Sequence, residues 1–109
     1  MTDLSLRIAA TFMDRLYGAH RWPLRVGSNR GLLLRPCSAV HTFFLPYALD
    51  VVFLDDALNE VHRIDAMPPR RMAWRRFATA VVELPEGYCD DQPDYLRRIR
   101  AAVQSTSAW

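Results

Sequence analysis

Apolar and polar residues alternate with a period of two near the start of the chain. Leu4, Leu6 and Ile8 alternate with Ser5 and Arg7, which predicts a β-strand. Further strands are expected over residues 31–35, 49–54, 60–65 and 78–84, because these runs are apolar or β-branched and are bounded by Pro, Gly, Asp and Asn.

The apolar spacing changes to the helical period in two places. Residues 11–18 predict a short helix, because Thr11 opens a Thr-x-x-Asp capping pattern and Gly18 can end the helix. Apolar residues also recur at helical spacing from Tyr95 to Val103, after Asp94, which complements the helix dipole. We expect this second, amphipathic helix to pack on the sheet of its own domain, with another chain as the alternative.

Short strands with a helix towards each end predict a mainly β fold. We expect a small β sandwich or barrel, jelly-roll-like, with a short N-terminal helix and a C-terminal amphipathic helix. A chain of 109 residues fits a single domain over residues 1–109. Within it, residues 4–87 are expected to form the β core and residues 88–109 a helical appendage.

Composition and charge exclude few functions. Half of the residues are apolar and 24% are charged, as in globular proteins. The 14 basic and 12 acidic residues give a net charge of +2, which demands no polyanionic partner. All basic residues are Arg, which fits codon bias, but seven of the 14 cluster within residues 70–76 and 97–100.

No stretch of the chain has the pattern of a targeting or membrane-spanning segment. Charged residues interrupt residues 1–20, and His41, Pro46 and Asp50 interrupt the most apolar run, residues 39–54. We therefore expect a cytoplasmic protein without a membrane partner, present as a monomer or homodimer. In that compartment Cys37 and Cys89 are expected to be thiols.

Three segments carry a resemblance to a known family. They are Cys-Ser-Ala-Val-His-Thr-Phe at 37–43, Leu-Asp-Val-Val-Phe-Leu-Asp at 49–55 and Val-Val-Glu-Leu-Pro-Glu-Gly at 81–87. Over residues 4–87 the chain resembles the prokaryotic family called domain of unknown function 192. The resemblance implies a small, mainly β domain and no established reaction. The family's usual last strand has no counterpart after Gly87, so we expect the C-terminal helix to replace or cover a sheet edge.

Cys37 and His41 form the sharpest chemical pair in the sequence. In an extended segment both side chains share one face, where a His can activate a thiolate and Asp50 or Asp55 can orient the imidazole. We favour a structural alternative, in which Cys37 is a small buried residue and the His41 side chain forms a hydrogen bond with the backbone. Asp50 would then be satisfied by an Arg or by backbone amides.

A metal site would need more ligands than the sequence places together. Cys37 and His41 with His20, His62 or Cys89 supply only a Cys-x-x-x-His half-site, without a second close-spaced pair. We expect neither a metal nor another cofactor.

Residues 70–76, Arg-Arg-Met-Ala-Trp-Arg-Arg, predict a basic loop with an aromatic residue inside it. Arg70, Arg71, Arg75 and Arg76 can hold phosphates, and Trp74 can stack on a base. The net charge is small and no recognised nucleic-acid motif is present, so we favour a solvated loop with Trp74 packed on the sheet.

Three functional hypotheses follow from these residues. We favour a non-enzymatic accessory domain that binds a small ligand or protein partner along Cys37, His41 and residues 70–76. A Cys-His hydrolase or transferase is the second hypothesis. A weak nucleic-acid binder that uses residues 70–76 is the third.

Overall fold

Short strands and two helices make up the regular structure of the described residues. The computed structural model describes residues 3–9, residues 22–105 and the backbone of residues 107–108. The N-terminal helix predicted at residues 11–18 lies outside the described residues. In chain order the elements are β1 (Ser5–Ala9), β2 (Arg30–Leu34), β3 (Ala39–His41), β4 (Leu49–Leu54), β5 (Glu60–Met67), β6 (Met72–Trp74), β7 (Ala80–Pro85), α1 (Tyr88–Asp91), α2 (Tyr95–Gln104) and β8 (Ser107–Ala108).

Two sheets are formed by the described strands. The large sheet has the order β5–β4–β7–β2–β1–β8, and the small sheet pairs β3 with β6. Strand β1 runs parallel to both β2 and β8, whereas the other pairs are antiparallel.

Strand β4 lies between β5 and β7 in the large sheet and is buried on both faces. Leu49, Val51 and Phe53 belong to one core cluster, and Val52 and Leu54 belong to the other. The small sheet packs against the first cluster and α2 against the second. The fold therefore has a helical layer, the large sheet, and a layer formed by the small sheet and its loops.

Helix α2 confirms the amphipathic pattern of the sequence. Ile99 and Ala102 are buried against one face of the large sheet, with Tyr95, Leu96 and Val103 partly buried beside them. The predicted relation to a sheet edge is wrong, because α2 covers a face. At the edge, the backbone of residues 107–108 pairs with β1.

The predicted strands over residues 49–54 and 60–65 pair as a β4–β5 hairpin. The Asp55 carboxylate accepts backbone N–H bonds from Ala57 and Asn59, as an Asx-type turn requires. The left-handed residue of the turn is Leu58, with φ 63°. Strand β5 runs past its predicted end to Met67, whose side chain is buried.

Four short elements were missed by the sequence patterns: β3, β6, α1 and β8. Residues 72–74, inside the predicted basic loop, form strand β6. Helix α1 takes up residues 88–91 and places Tyr88 and Cys89 in the core, so Asp90 and Asp91 belong to α1 and not to the start of α2.

The coarse fold class of the sequence prediction is confirmed. The described chain is mainly β, with two sheets and two short helices. The narrower barrel or jelly-roll class stays a prediction. Neither described helix is long and apolar enough to cross a membrane.

Replacing Ile99 by Ala tests whether the contact between α2 and the sheet stabilises the whole domain. Ile99 is fully buried, so we expect Ile99→Ala to lower the free energy of unfolding by about 2–5 kcal/mol. Arg97→Ala, on the exposed side of α2, is the control and should cost less than about 1 kcal/mol. Urea unfolding of both variants measures the difference, and equal costs would contradict the packing role of α2.

Candidate functional site

The small sheet presents one face to the core and the other to solvent. Val40 of β3 pairs with Ala73 of β6, and both pack against the large sheet. The neighbouring pairs, Ala39 with Trp74 and His41 with Met72, lie on the opposite face because successive side chains of a strand alternate. We call residues 36–47 and 68–79, which contain this sheet and its loops, the acid-free lobe, since they include no Asp or Glu.

Large apolar side chains lie exposed across the acid-free lobe. Met72 is 70% exposed, Trp74 59% and Phe77 73%. Phe43 and Phe44, which follow β3, are also exposed. Exposed apolar side chains gathered on one part of a protein mark binding surfaces, so the acid-free lobe is the candidate site.

The exposure of Trp74 corrects a sequence prediction. Trp74 was expected to pack on the sheet, but strand β6 turns it outward, opposite the partly buried Ala73. Trp22, by contrast, packs on the core, donates its indole N–H to Gly31 O and stacks under the Arg30 guanidinium.

Buried Thr42 holds the turn that carries Arg70 and Arg71. Its hydroxyl donates to Pro68 O at 2.6 Å and accepts from Arg71 N at 3.0 Å, and its backbone O accepts from Arg70 N. Arg70 is left-handed at φ 63°, a conformation that costs energy for a residue with a side chain. The turn is thus held in a strained shape that displays two arginines.

The four arginines of the acid-free lobe have no carboxylate partners among the described residues, whose ion pairs involve Arg63, Arg97 and Arg98. Arg71 donates to Arg70 O and Arg75 to Trp74 O, so these bonds stay within the local backbone. No carboxylate of the described chain neutralises these positive charges, which are available to an anion.

Cys37 and His41 have separate surroundings. The Cys37 thiol donates to Ala39 O at 2.9 Å, and its side chain packs on the core. His41 Nδ1 accepts from Phe43 N at 3.4 Å, and its ring stacks on the Phe43 ring at 5.4 Å between centroids. A surface recess beside Cys37 is lined by Pro36, Cys37, Ser38, Ala39, Ala78 and Thr79. None of these described lining residues has an imidazole or a carboxyl group.

Asp50 is fully engaged by the backbone. Its carboxylate accepts N–H bonds from Ala66 at 2.9 Å, Gly87 at 3.2 Å and Cys89 at 3.1 Å. These bonds join β4 to β5 and to the start of α1, so the residue clamps the fold. A carboxylate used in this way is poorly placed to orient His41.

The structure brings together one trio of possible metal ligands that the sequence analysis did not consider. Asp50, Asp65 and Cys89 offer ligand atoms within 4.8 Å of one another. Arg63 holds Asp65 in a two-bond ion pair and lowers its pKa. Burial, with the charge of Asp50, raises the pKa of Cys89 to about 12, so this thiol is protonated. The bonds of the fold already occupy the carboxylate oxygens of the trio.

Among the described residues, no group of possible metal ligands includes His41 or His62. His62 lies on β5, with its ring 6.2 Å from that of Phe53 in the core, and His20 lies outside the described residues.

Glu83 is a buried acid that the sequence patterns missed. It lies on β7 between the fully buried Leu32 and Val51 and is only 4% exposed. Burial raises its pKa to about 8, so it is largely protonated at neutral pH. Burial also raises the pKa of the nearby Tyr47, and the charge of Glu83 adds to that shift. Glu83 lies on a face of the large sheet that another layer of the protein covers, and the sequence patterns could not show that this face is covered.

Comparison with known proteins places the chain among uncharacterised relatives. A model of the family DUF192, described as uncharacterised ACR, matches residues 1–92. The crystal structure of a protein of unknown function from Novosphingobium aromaticivorans DSM 12444 is similar, with a TM-score of 0.69 and 15% sequence identity. The match covers 81% of this chain and 67% of that one, and at this identity it shows the fold alone. None of the curated proteins matches the chain.

Glu83 makes a pH-dependent contribution to stability that Glu83→Gln should remove. The unfolded chain ionises this group near pH 4.5, whereas the folded protein keeps the proton to about pH 8. Its contribution is therefore full below pH 4.5 and is lost as the pH rises to about 8. We expect wild type to lose about 2–4 kcal/mol more than Glu83→Gln between pH 5 and pH 8 in urea unfolding.

Glu86→Gln is the control for this measurement, because Glu86 is exposed and close in sequence. It should follow wild type across the pH range. Parallel stability curves for wild type and Glu83→Gln would show that the Glu83 proton is not linked to folding.

Proposed function

This chain belongs to the DUF192 family of uncharacterised proteins, and we propose that it is a non-enzymatic binding module that takes an anionic partner on its acid-free lobe. The observation that carries this proposal is an exposed apolar face with four arginines and no acid of its own. Protein surfaces of this composition, with aromatic and Arg side chains together, are typical of binding sites.

The electrostatics of the acid-free lobe support an anionic partner. Like charges without counter-charges repel one another, and an approaching anion relieves that repulsion. A second copy of the acid-free lobe would bring the same four positive charges against these four. Charge complementarity therefore favours a negatively charged partner over a symmetric dimer through this face.

The Cys-His enzyme hypothesis has less support from the geometry. Nucleophile activation needs the imidazole to take the thiol proton, but the Cys37 thiol donates to Ala39 O. His41 Nδ1 accepts from the backbone of Phe43, which ties the ring into the aromatic surface. In our proposal, His41 contributes to the binding face of the acid-free lobe, and the Cys37 side chain packs on the core.

Alkylation by iodoacetamide distinguishes the module from the enzyme. Cys89 is buried with a pKa of about 12, so at pH 7 the reaction reports on Cys37. We expect slow labelling, with rates in wild type and His41→Ala that agree within about twofold. His62→Ala is the matched control. A tenfold slower reaction in His41→Ala alone would establish an activated Cys-His pair and contradict the binding-module proposal.

Retention on heparin, used as a polyanion probe, tests the location of the anion-binding face. Arg71→Gln/Arg76→Gln and Arg25→Gln/Arg97→Gln each remove two positive charges from exposed positions. We expect the first double variant to elute at clearly lower salt than wild type and the second to elute close to wild type, because unpaired clustered charges dominate binding. Equal shifts in the two double variants would mean that only net charge matters and would overturn the assignment to the acid-free lobe.

A further inference from the structure

We propose that the anionic partner of the acid-free lobe is single-stranded nucleic acid, with exposed rings stacking on bases and the exposed arginines of the lobe holding phosphates. This inference rests on the proposed binding function and specifies its ligand. It uses side chains whose exposure only the structure reveals, Trp74 above all.

The exposed rings extend along the small sheet from one end to the other. Phe43 and Phe44 follow β3, beyond the pair His41–Met72, and Phe77 follows Trp74 at the opposite end. The His41 ring lies 5.4 Å from that of Phe43 and 6.0 Å from that of Phe44. A row of rings on a sheet face suits successive unpaired bases, each of which has a π-face for stacking.

Arginines flank both ends of this row. Arg70 and Arg71 lie at the His41 end, where Thr42 bonds their backbone, and Arg76 follows Trp74 at the other end. The Arg75 guanidinium lies on the core side, 5.7 Å from the centre of the Phe53 ring. The Arg76 guanidinium lies 5.6 Å from the centre of the Phe77 ring. Guanidinium groups without carboxylate partners can form paired hydrogen bonds to phosphate oxygens.

The small net charge of the chain conceals the concentration of arginines in the acid-free lobe. Of the 14 arginines, four lie in the acid-free lobe, where there is no acid, so the rest of the chain has ten arginines against 12 acids. A local field of one sign attracts a polyanion even when the whole molecule is nearly neutral. The sequence argument against nucleic acid from net charge therefore does not apply to this surface.

Other anionic partners fit the arrangement less well. An anionic bilayer attracts the arginines but offers no π-faces on which the exposed rings can stack. In duplex nucleic acid the base faces are stacked inside the helix and are closed to Trp74. An acidic protein segment matches the charge but offers no regular series of π-faces.

Binding of a fluorescein-labelled oligothymidylate of about 15 nucleotides tests the proposal. At low salt we expect a rise in fluorescence anisotropy, with log K falling against log salt at a slope of roughly −2 to −3 for the phosphate contacts of the exposed arginines. Trp74→Ala should weaken binding about 5- to 100-fold, and Trp74→Phe should recover most of the loss because it restores a stacking ring. Arg25→Gln/Arg97→Gln should bind like wild type.

Several outcomes would overturn the inference. They are no binding at low salt, equal affinity of wild type and Trp74→Ala, equal affinity for a duplex of the same length, and binding to phosphatidylglycerol vesicles in place of the oligonucleotide. If the oligonucleotide fails while heparin retention still depends on Arg71 and Arg76, the proposed anion-binding function stands and only the nucleic-acid assignment falls.

Discussion

The burial of β4 on both faces is the constraint on which the rest of this structure depends. Every side chain from Leu49 to Leu54 is buried, so the large sheet needs a covering layer on each side. Helix α2 supplies one layer through Ile99, and the small sheet supplies the other through Val40 and Ala73. The small sheet uses one face for this packing, so its other face is exposed to solvent. The candidate binding surface is the solvent-facing side of the small sheet, whose other side packs on the core.

Charge is distributed unevenly around this core. Two acids are buried in the large sheet. Asp50 is held by three backbone N–H groups, and the pKa of Glu83 is raised by its burial. Asp65 and Asp94 are paired with arginines. The acid-free lobe has arginines without carboxylate partners among the described residues. This separation concentrates positive charge on the face where aromatic side chains are also exposed, and the two features together define the proposed ligand.

The predictability of each element followed its length and the span of its contacts. Strands β4 and β7 and helix α2 contain enough residues to show a period, and the patterns found them. Strands β3 and β6 have three residues each, too few for alternation to be distinguished from a loop. The clustered arginines of the candidate site could be found in the sequence, but the direction of Trp74 could not. Glu83 was missed because a polar residue in an alternating strand looks solvent-facing unless a second layer is known to cover it.

By itself the sequence determined the local properties of this protein. It specified the long strands, the apolar stripe of α2, the arginine cluster at residues 70–76 and the resemblance to DUF192. Only the tertiary structure decided which of these residues meet. It turned Trp74 outward, placed Asp50 against three amides and enclosed Glu83 between Leu32 and Val51. The reason is physical: periodicity is set by neighbours along the chain, whereas the environment of a side chain is set by strand pairing and layer packing between residues far apart in sequence.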